Sequence, residues 1–130
     1  MKTHVEFRSN KFPPYEGEEE RINPGLWGKR LAEYLVSKLA EKGIKTGSIC
    51  AEDWGWYIPV HNEEFRLAIG CGHQYGEDDV FLCFTHPHTP LVKKFFKKID
   101  GTPQLTRLTE ALQQILSSDP DIRQIEWKEP

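Results

Sequence analysis

Apolar residues recur at three- and four-residue spacing in two segments, and this spacing predicts two amphipathic helices. The apolar positions are Trp27, Leu31, Tyr34, Leu35 and Leu39 in the first segment and Leu105, Leu108, Leu112, Ile115 and Leu116 in the second. Asn23-Pro24 is typical of a helix start and Gly43 of a helix end. Thr102-Pro103 is a second start signal, and Ser117-Ser118-Asp119-Pro120 ends that helix.

Between these helices the apolar period changes to two, which predicts strands. Apolar residues alternate in Trp54–Val60 and in Phe65–Cys71, after a short strand that contains Ile49 and Ala51. The next strand, 80–84, is apolar at every position, so we expect it inside the sheet with both faces covered. Because the connections are short, the four strands are expected to form an antiparallel meander.

The remaining segments complete one domain. Residues 3–8 alternate and predict a first strand, and 122–127 predicts an edge strand. Lys93-Lys94-Phe95-Phe96-Lys97-Lys98 predicts a short helix with the Phe pair buried and the lysines solvated. The order is therefore β-α-β-β-β-β-α-α-β. We expect a single α+β domain over residues 1–130, with helices packed on one face of an antiparallel sheet.

Charge and cysteine content narrow the class of protein. The 130 residues carry 17 Lys and Arg against 20 Asp and Glu, a net charge of −3. This balance gives the whole chain no drive toward nucleic acid or an anionic membrane, and neither is expected as a partner. No apolar run follows the N-terminus as in a secretory signal, so we expect a cytoplasmic protein with its three cysteines reduced.

The segment Glu52-Asp53-Trp54-Gly55-Trp56 is the first candidate site. Its alternation places both indoles on one side of a strand beside two carboxylates, a combination suited to a cationic or sugar-like ligand. The other interpretation is structural: both indoles lie in the core, Asp53 caps the turn, and Gly55 supplies its backbone conformation. Glu16, Glu18, Glu19 and Glu20 form an acidic run that is expected to be a solvated loop.

The second candidate is a group of thiols and imidazoles, namely Cys71, His73, Cys83, His86 and His88. Thiolate and imidazole are zinc ligands, but the spacing matches no standard zinc motif. Cys71 and His73 are also poorly oriented for proton transfer to each other. The chain has no standard hydrolase, zinc-protease or nucleotide-binding motif, so no catalytic residue and no cofactor are expected.

The segments Pro24-Gly25-Leu26-Trp27-Gly28-Lys29 and Glu52–Trp56, together with Ile69-Gly70-Cys71, resemble a family of small bacterial α+β proteins. These proteins share a P-G-x-W-G-K helix start and an E-D-W-G-W segment. The resemblance implies a compact α+β domain and brings no catalytic or ligand-binding residue with it. Such domains are similar to bacterial immunity and adaptor proteins, which act by binding a partner.

Together these observations favour a non-catalytic protein-binding domain of the immunity, inhibitor or adaptor type over an enzyme. Its acidic and aromatic surface would meet a basic protein, and the candidate residues are Glu18, Glu19, Glu52, Asp53, Trp54, Trp56 and Trp27. The alternative is a small-molecule-binding protein or enzyme whose pocket is lined by Trp27, Trp54 and Trp56, with Asp53 as its polar group. A structural zinc site is the third hypothesis. The edge strand permits either a monomer or a homodimer.

Overall fold

The computed structural model describes residues 1–74 and 76–130. The helices and strands of these residues follow one another as β1 (His4–Ser9), α1 (Glu18–Arg21), α2 (Lys29–Glu41), β2 (Cys50–Glu52), β3 (Gly55–Val60), β4 (Leu67–His73), β5 (Val80–His86), β6 (Leu91–Lys94), β7 (Lys97–Asp100), α3 (Thr102–Ser117) and β8 (Ile122–Lys128). Within this part of the chain, no helix is both long enough and apolar enough to cross a bilayer.

Six strands form one antiparallel sheet in the order β2-β3-β4-β5-β1-β8. The predicted meander is therefore confirmed as β2 to β5, and β8 is an edge strand as expected. Helix α2 packs against β3 and β4, whereas α3 packs against β5 and β8. Both long helices lie on the same face, so the predicted α+β architecture with helices on one face is confirmed.

The core lies between this face of the sheet and the two long helices. Its fully buried side chains include Leu31, Leu35 and Leu39 of α2, Leu105, Leu108 and Leu112 of α3, and Phe7, Ile58, Ile69 and Phe81 of the sheet. The helix residues come from the two apolar stripes in the sequence. Burial of these stripes supplies most of the driving force for the fold, since each fully buried Leu or Phe contributes about 1.5–3 kcal/mol.

No helix of the described residues covers the opposite face of the sheet. We call this face the open face and define it by His4, Tyr57, Leu82 and Phe84. These four side chains are only half-buried, whereas Phe81 and Cys83, which alternate with Leu82 and Phe84 in β5, are buried on the helix side. The expectation that β5 is covered on both faces is therefore wrong. Its interior position in the sheet is correct, but its outer face is covered only by neighbouring side chains.

Helix α2 begins five residues later than its Asn23-Pro24 signal predicts. Asn23 instead pairs with Leu26 in an isolated bridge, and Gly28 precedes the first helical residue. The free N–H groups of Gly28 and Lys29 donate to the Glu18 carboxylate at 2.7 and 2.8 Å. The helix start is thus fixed by an acceptor outside the helix, which local spacing does not reveal.

The segment predicted as a second short helix is a β-hairpin. Strands β6 and β7 pair with Lys93 opposite Lys98 and Lys94 opposite Lys97, leaving Phe95 and Phe96 as a two-residue loop. Both Phe side chains are exposed, by 91% and 107%, so the expected burial of this pair is wrong. Val92 and Ile99 pack against the core and hold the base of the hairpin on the domain.

Candidate functional site

The open face carries a row of aromatic side chains across four strands. His4 lies opposite Phe84, Phe84 opposite Gly70, and Gly70 opposite Tyr57, and such partners share one face of a sheet. The His4 and Phe84 rings stack with centroids 5.4 Å apart. The Phe84 ring lies over Gly70, where an added Cβ would collide with it. Gly70 is therefore required for Phe84 to lie flat on the sheet.

Trp54 extends this row at the turn between β2 and β3. Its ring centroid is 5.2 Å from that of Phe84, which places the indole on the open face. Trp56 lies on the helix side, buried and hydrogen-bonded to Glu18 at 2.9 Å. The two indoles thus face opposite sides of the sheet. The expectation that they share one side is wrong, because Trp54 belongs to the turn and not to the strand.

Two acidic side chains lie beside Trp54. Glu52 and Asp53 are exposed, and across residues 1–74 and 76–130 neither carboxylate accepts a hydrogen bond or forms an ion pair. The Asp53 carbonyl accepts a 2.7 Å hydrogen bond from the Asn23 amide, which ties the turn to the loop before α2. Gly55 adopts φ +151°, so the expectation that this glycine supplies the turn conformation is confirmed.

Glu18 is not at this surface. Its side chain is 4% exposed, and its carboxylate accepts from Tyr15 N, Gly28 N, Lys29 N and Trp56 Nε1 at 2.7–2.9 Å. The expectation of a wholly solvated acidic run is therefore wrong at this residue. Glu19 is half-buried and accepts a hydrogen bond from the Gly25 N–H. Both carboxylates organise the chain before α2, and Glu18 connects it to the sheet.

Trp27 is also an interior residue. Its indole stacks on the His73 ring with centroids 3.7 Å apart, and its Nε1 donates to the Phe12 carbonyl. Trp54 lies on the other face of the sheet from Trp27 and Trp56, so the three indoles do not line a single pocket. A surface recess of about 380 Å³ does border Trp27, but it is lined mainly by Ser9, Asn10, Phe12, Pro13, Pro14, Glu19 and Asp78.

The thiols and imidazoles do not converge. Cys71 and Cys83 lie opposite each other in the neighbouring strands β4 and β5, on the helix side of the sheet. Both are buried free thiols. The His73 nitrogens lie 2.7 and 2.8 Å from the carbonyl oxygens of Gly25 and Glu77. His86 and His88 are exposed. In the described parts of the chain, no three His, Cys, Asp or Glu side chains are placed to hold a metal ion.

The two buried thiols are also poor nucleophiles. Desolvation, reinforced by the nearby Glu18 carboxylate, raises the pKa of Cys71. Desolvation is the main cause that raises the pKa of Cys83 well above its ordinary value, and the neighbouring Cys71 adds to this effect. Because the thiolate is the reactive form, neither group is activated at neutral pH.

His4, Tyr57 and Phe84 are functional candidates that the sequence motifs do not indicate. The available signal was the alternation in β5, since Phe84 is out of phase with Phe81 and Cys83. The exposure of Phe95 and Phe96 is likewise not indicated by the sequence pattern. No family model, no curated protein and no solved structure matches the chain.

Proposed function

We propose that this protein is a non-catalytic binding domain of the immunity, inhibitor or adaptor type that recognises a basic protein through its open face. The observation that carries the proposal is the position of Trp54. Its indole packs on Phe84 outside the core, next to two carboxylates without partners in the described structure. Trp is enriched among the residues that contribute most of the binding energy at protein interfaces, and exposed carboxylates beside it can provide charge complementarity to a basic partner.

The shape of the open face favours a protein over a small ligand. The row from His4 through Phe84 to Tyr57 crosses four adjacent strands, which lie about 4.8 Å apart. Small ligands generally bind in concave pockets, whereas this aromatic row lies along a sheet surface. A partner protein is therefore the better match to its extent.

The charge of the site favours a basic partner. An Arg or Lys side chain of the partner would stack on the Trp54 indole and pair with Glu52 or Asp53. Such pairs mainly increase the association rate and weaken as salt is added. The site residues proposed here are therefore Trp54 as the aromatic anchor, with Glu52 and Asp53 as its charged neighbours.

The proposal is tested with tagged protein in host lysate, followed by affinity measurement on the purified partner. We expect Trp54→Ala to weaken binding by about 2 kcal/mol, close to thirtyfold, as for a buried aromatic anchor. Glu52→Gln with Asp53→Asn is expected to lower the association rate and its salt dependence. Glu63→Gln with Glu64→Gln is the control, because these residues are exposed and change the net charge equally.

Thermal unfolding of each variant separates loss of binding from loss of fold. Trp54→Phe retains an aromatic ring against Phe84 and is expected to keep part of the affinity. The proposal is wrong if the partner binds the Trp54→Ala variant as tightly as the wild type. It is equally wrong if both charge variants reduce the association rate to the same extent.

A further inference from the structure

The β6–β7 hairpin contains the most exposed large apolar side chains of the described structure. Phe95 and Phe96 are 91% and 107% exposed at its loop, so they contact almost nothing in the domain. Burial of a Phe side chain is worth about 1.5–3 kcal/mol, which this fold does not gain at either position. The Phe pair therefore contributes little to the stability of the folded protein, and both side chains are free to contact a membrane or another molecule.

The loop conformation does not account for Phe95 either. This residue adopts φ +56°, a left-handed conformation in which Gly, Asn and Asp are common and bulky side chains are rare. A hairpin loop selected only for turn formation would have Gly or Asn here. The presence of Phe at a strained position is consistent with a requirement for an apolar side chain at the tip.

Four lysines surround the Phe pair, and they also fail to stabilise the hairpin. Lys93 faces Lys98 and Lys94 faces Lys97, and like charges at opposite positions are unfavourable in a sheet. In the described ranges none of the four forms an ion pair. A negatively charged neighbour outside the chain would remove this repulsion.

The arrangement of the lysines favours a membrane over a protein as the binding partner of the hairpin. Successive cross-strand pairs point to opposite faces of a hairpin, so Lys94 and Lys97 lie on one face and Lys93 and Lys98 on the other. A protein that contacts one face of the hairpin meets only one of these pairs. A planar anionic surface approached by the tip meets all four lysines around the two Phe side chains.

We propose that the β6–β7 hairpin docks this protein on an anionic lipid membrane, with Phe95 and Phe96 inserted at the level of the headgroups and the four lysines contacting anionic headgroups. The net charge of −3 does not oppose such docking, because the contact is local and charges beyond about 10 Å are screened. A 2.7 Å hydrogen bond from Gly101 N to the Pro90 carbonyl closes the base of the hairpin, and Val92 and Ile99 hold that base against the core. Docking by the tip therefore leaves the rest of the domain outside the bilayer.

Flotation of the full chain with vesicles tests the proposal. We expect the wild type to float with phosphatidylcholine vesicles that contain about one third phosphatidylglycerol, and to remain unbound with phosphatidylcholine alone. Phe95→Ser with Phe96→Ser is expected to reduce the partition coefficient at least tenfold. Phe95→Leu with Phe96→Leu retains apolar side chains and is expected to bind within about threefold of the wild type.

The contribution of charge is tested by a matched pair of double variants. Lys94→Gln with Lys97→Gln is expected to reduce partitioning about twenty-five-fold, since each lysine near an anionic surface contributes roughly a fivefold effect. Lys42→Gln with Lys45→Gln changes the net charge equally at two exposed positions that follow α2, and it is expected to have little effect. Circular dichroism and thermal unfolding verify that each variant is folded.

Three results would overturn the proposal: no flotation of the wild type at low salt, equal flotation of the Ser variant, or equal loss in both lysine double variants. A fourth result assigns the hairpin to a protein instead. It is a soluble complex that the Ser variant cannot form, with no binding of the wild type to either vesicle.

Discussion

The Trp56 indole donates a 2.9 Å hydrogen bond to the buried carboxylate of Glu18, and this bond joins the sheet to the start of α2. The same carboxylate oxygen accepts the N–H groups of Gly28 and Lys29. Arg21 and Lys29 lie about the indole ring, each 5.7 Å from its centroid. One acidic side chain therefore fixes the relative position of α1, α2 and β3.

This arrangement predicts that Glu18→Gln destabilises the fold. The Gln side chain keeps one of the two oxygens, but an NH2 group replaces the other. That NH2 group is a donor and would face N–H donors of the protein. Hydrogen bonds to a charged group are worth about 1.5–3 kcal/mol, so we expect a loss of about 2–3 kcal/mol in the free energy of unfolding. Urea denaturation measures this loss. Glu20→Gln, at an exposed position nearby, serves as the control, and equal effects of the two substitutions would contradict the role of Glu18.

The contrast between α3 and Glu18 shows what the sequence reveals. The bounds of α3 follow from Thr102-Pro103 and an uninterrupted apolar stripe, which are local signals. The burial of Glu18 depends on Trp56, 38 positions away, and on the loop at Gly28. A carboxylate within an acidic run has the same local pattern whether it is solvated or surrounded by donors, so pattern alone cannot distinguish the two.

The β6–β7 hairpin illustrates a different ambiguity. In Lys93–Lys98, two central aromatic residues with two lysines on either side fit one turn of an amphipathic helix. The same symmetry also fits a two-residue hairpin loop, in which the lysines become cross-strand partners. The segment is too short for its hydrophobic period to decide between these two structures. In the candidate segment Glu52–Trp56, the sequence pattern does not show which face Trp54 occupies, because that depends on where the turn ends.

Gly70 allows a direct test of the open face. A Cβ at this position overlaps the Phe84 ring, so Gly70→Ala is expected to lift that ring and to lower stability by about 1–3 kcal/mol. Phe84→Ala removes the obstacle. In a double-mutant cycle, Gly70→Ala should therefore cost less in the Phe84→Ala background than in the wild type. Additive effects would show that the ring does not lie over Gly70.

The cysteines are expected to differ sharply in reactivity. Cys50 is exposed, whereas Cys71 and Cys83 are buried with raised pKa values. A thiol reagent such as DTNB should therefore modify one thiol in the native protein and three in denaturant. The Cys50→Ser variant should show no rapid reaction in the native state. Rapid modification of two or three native thiols would contradict the burial of the β4–β5 pair.

Asp119 provides the last prediction, which concerns stability in acid. Burial of this carboxyl raises its pKa, but hydrogen bonds from Lys11, Tyr34 and the N–H of Asp121 outweigh that effect and lower the pKa to about 2. The pKa of an unfolded Asp is about 4. Because the folded value is the lower one, the ionised carboxylate stabilises the fold fully above about pH 4, and this contribution is lost as the pH falls toward 2.

We therefore expect Asp119→Asn to reduce stability at pH 7 and to flatten the dependence of stability on pH between about 4 and 2. Tyr34→Phe removes one of the donors and should shift the same dependence to higher pH. Urea denaturation at several pH values measures both effects. If the Asn variant loses stability between pH 4 and 2 as steeply as the wild type, the acid sensitivity of this region comes from other carboxyls, because the Asn side chain does not titrate there.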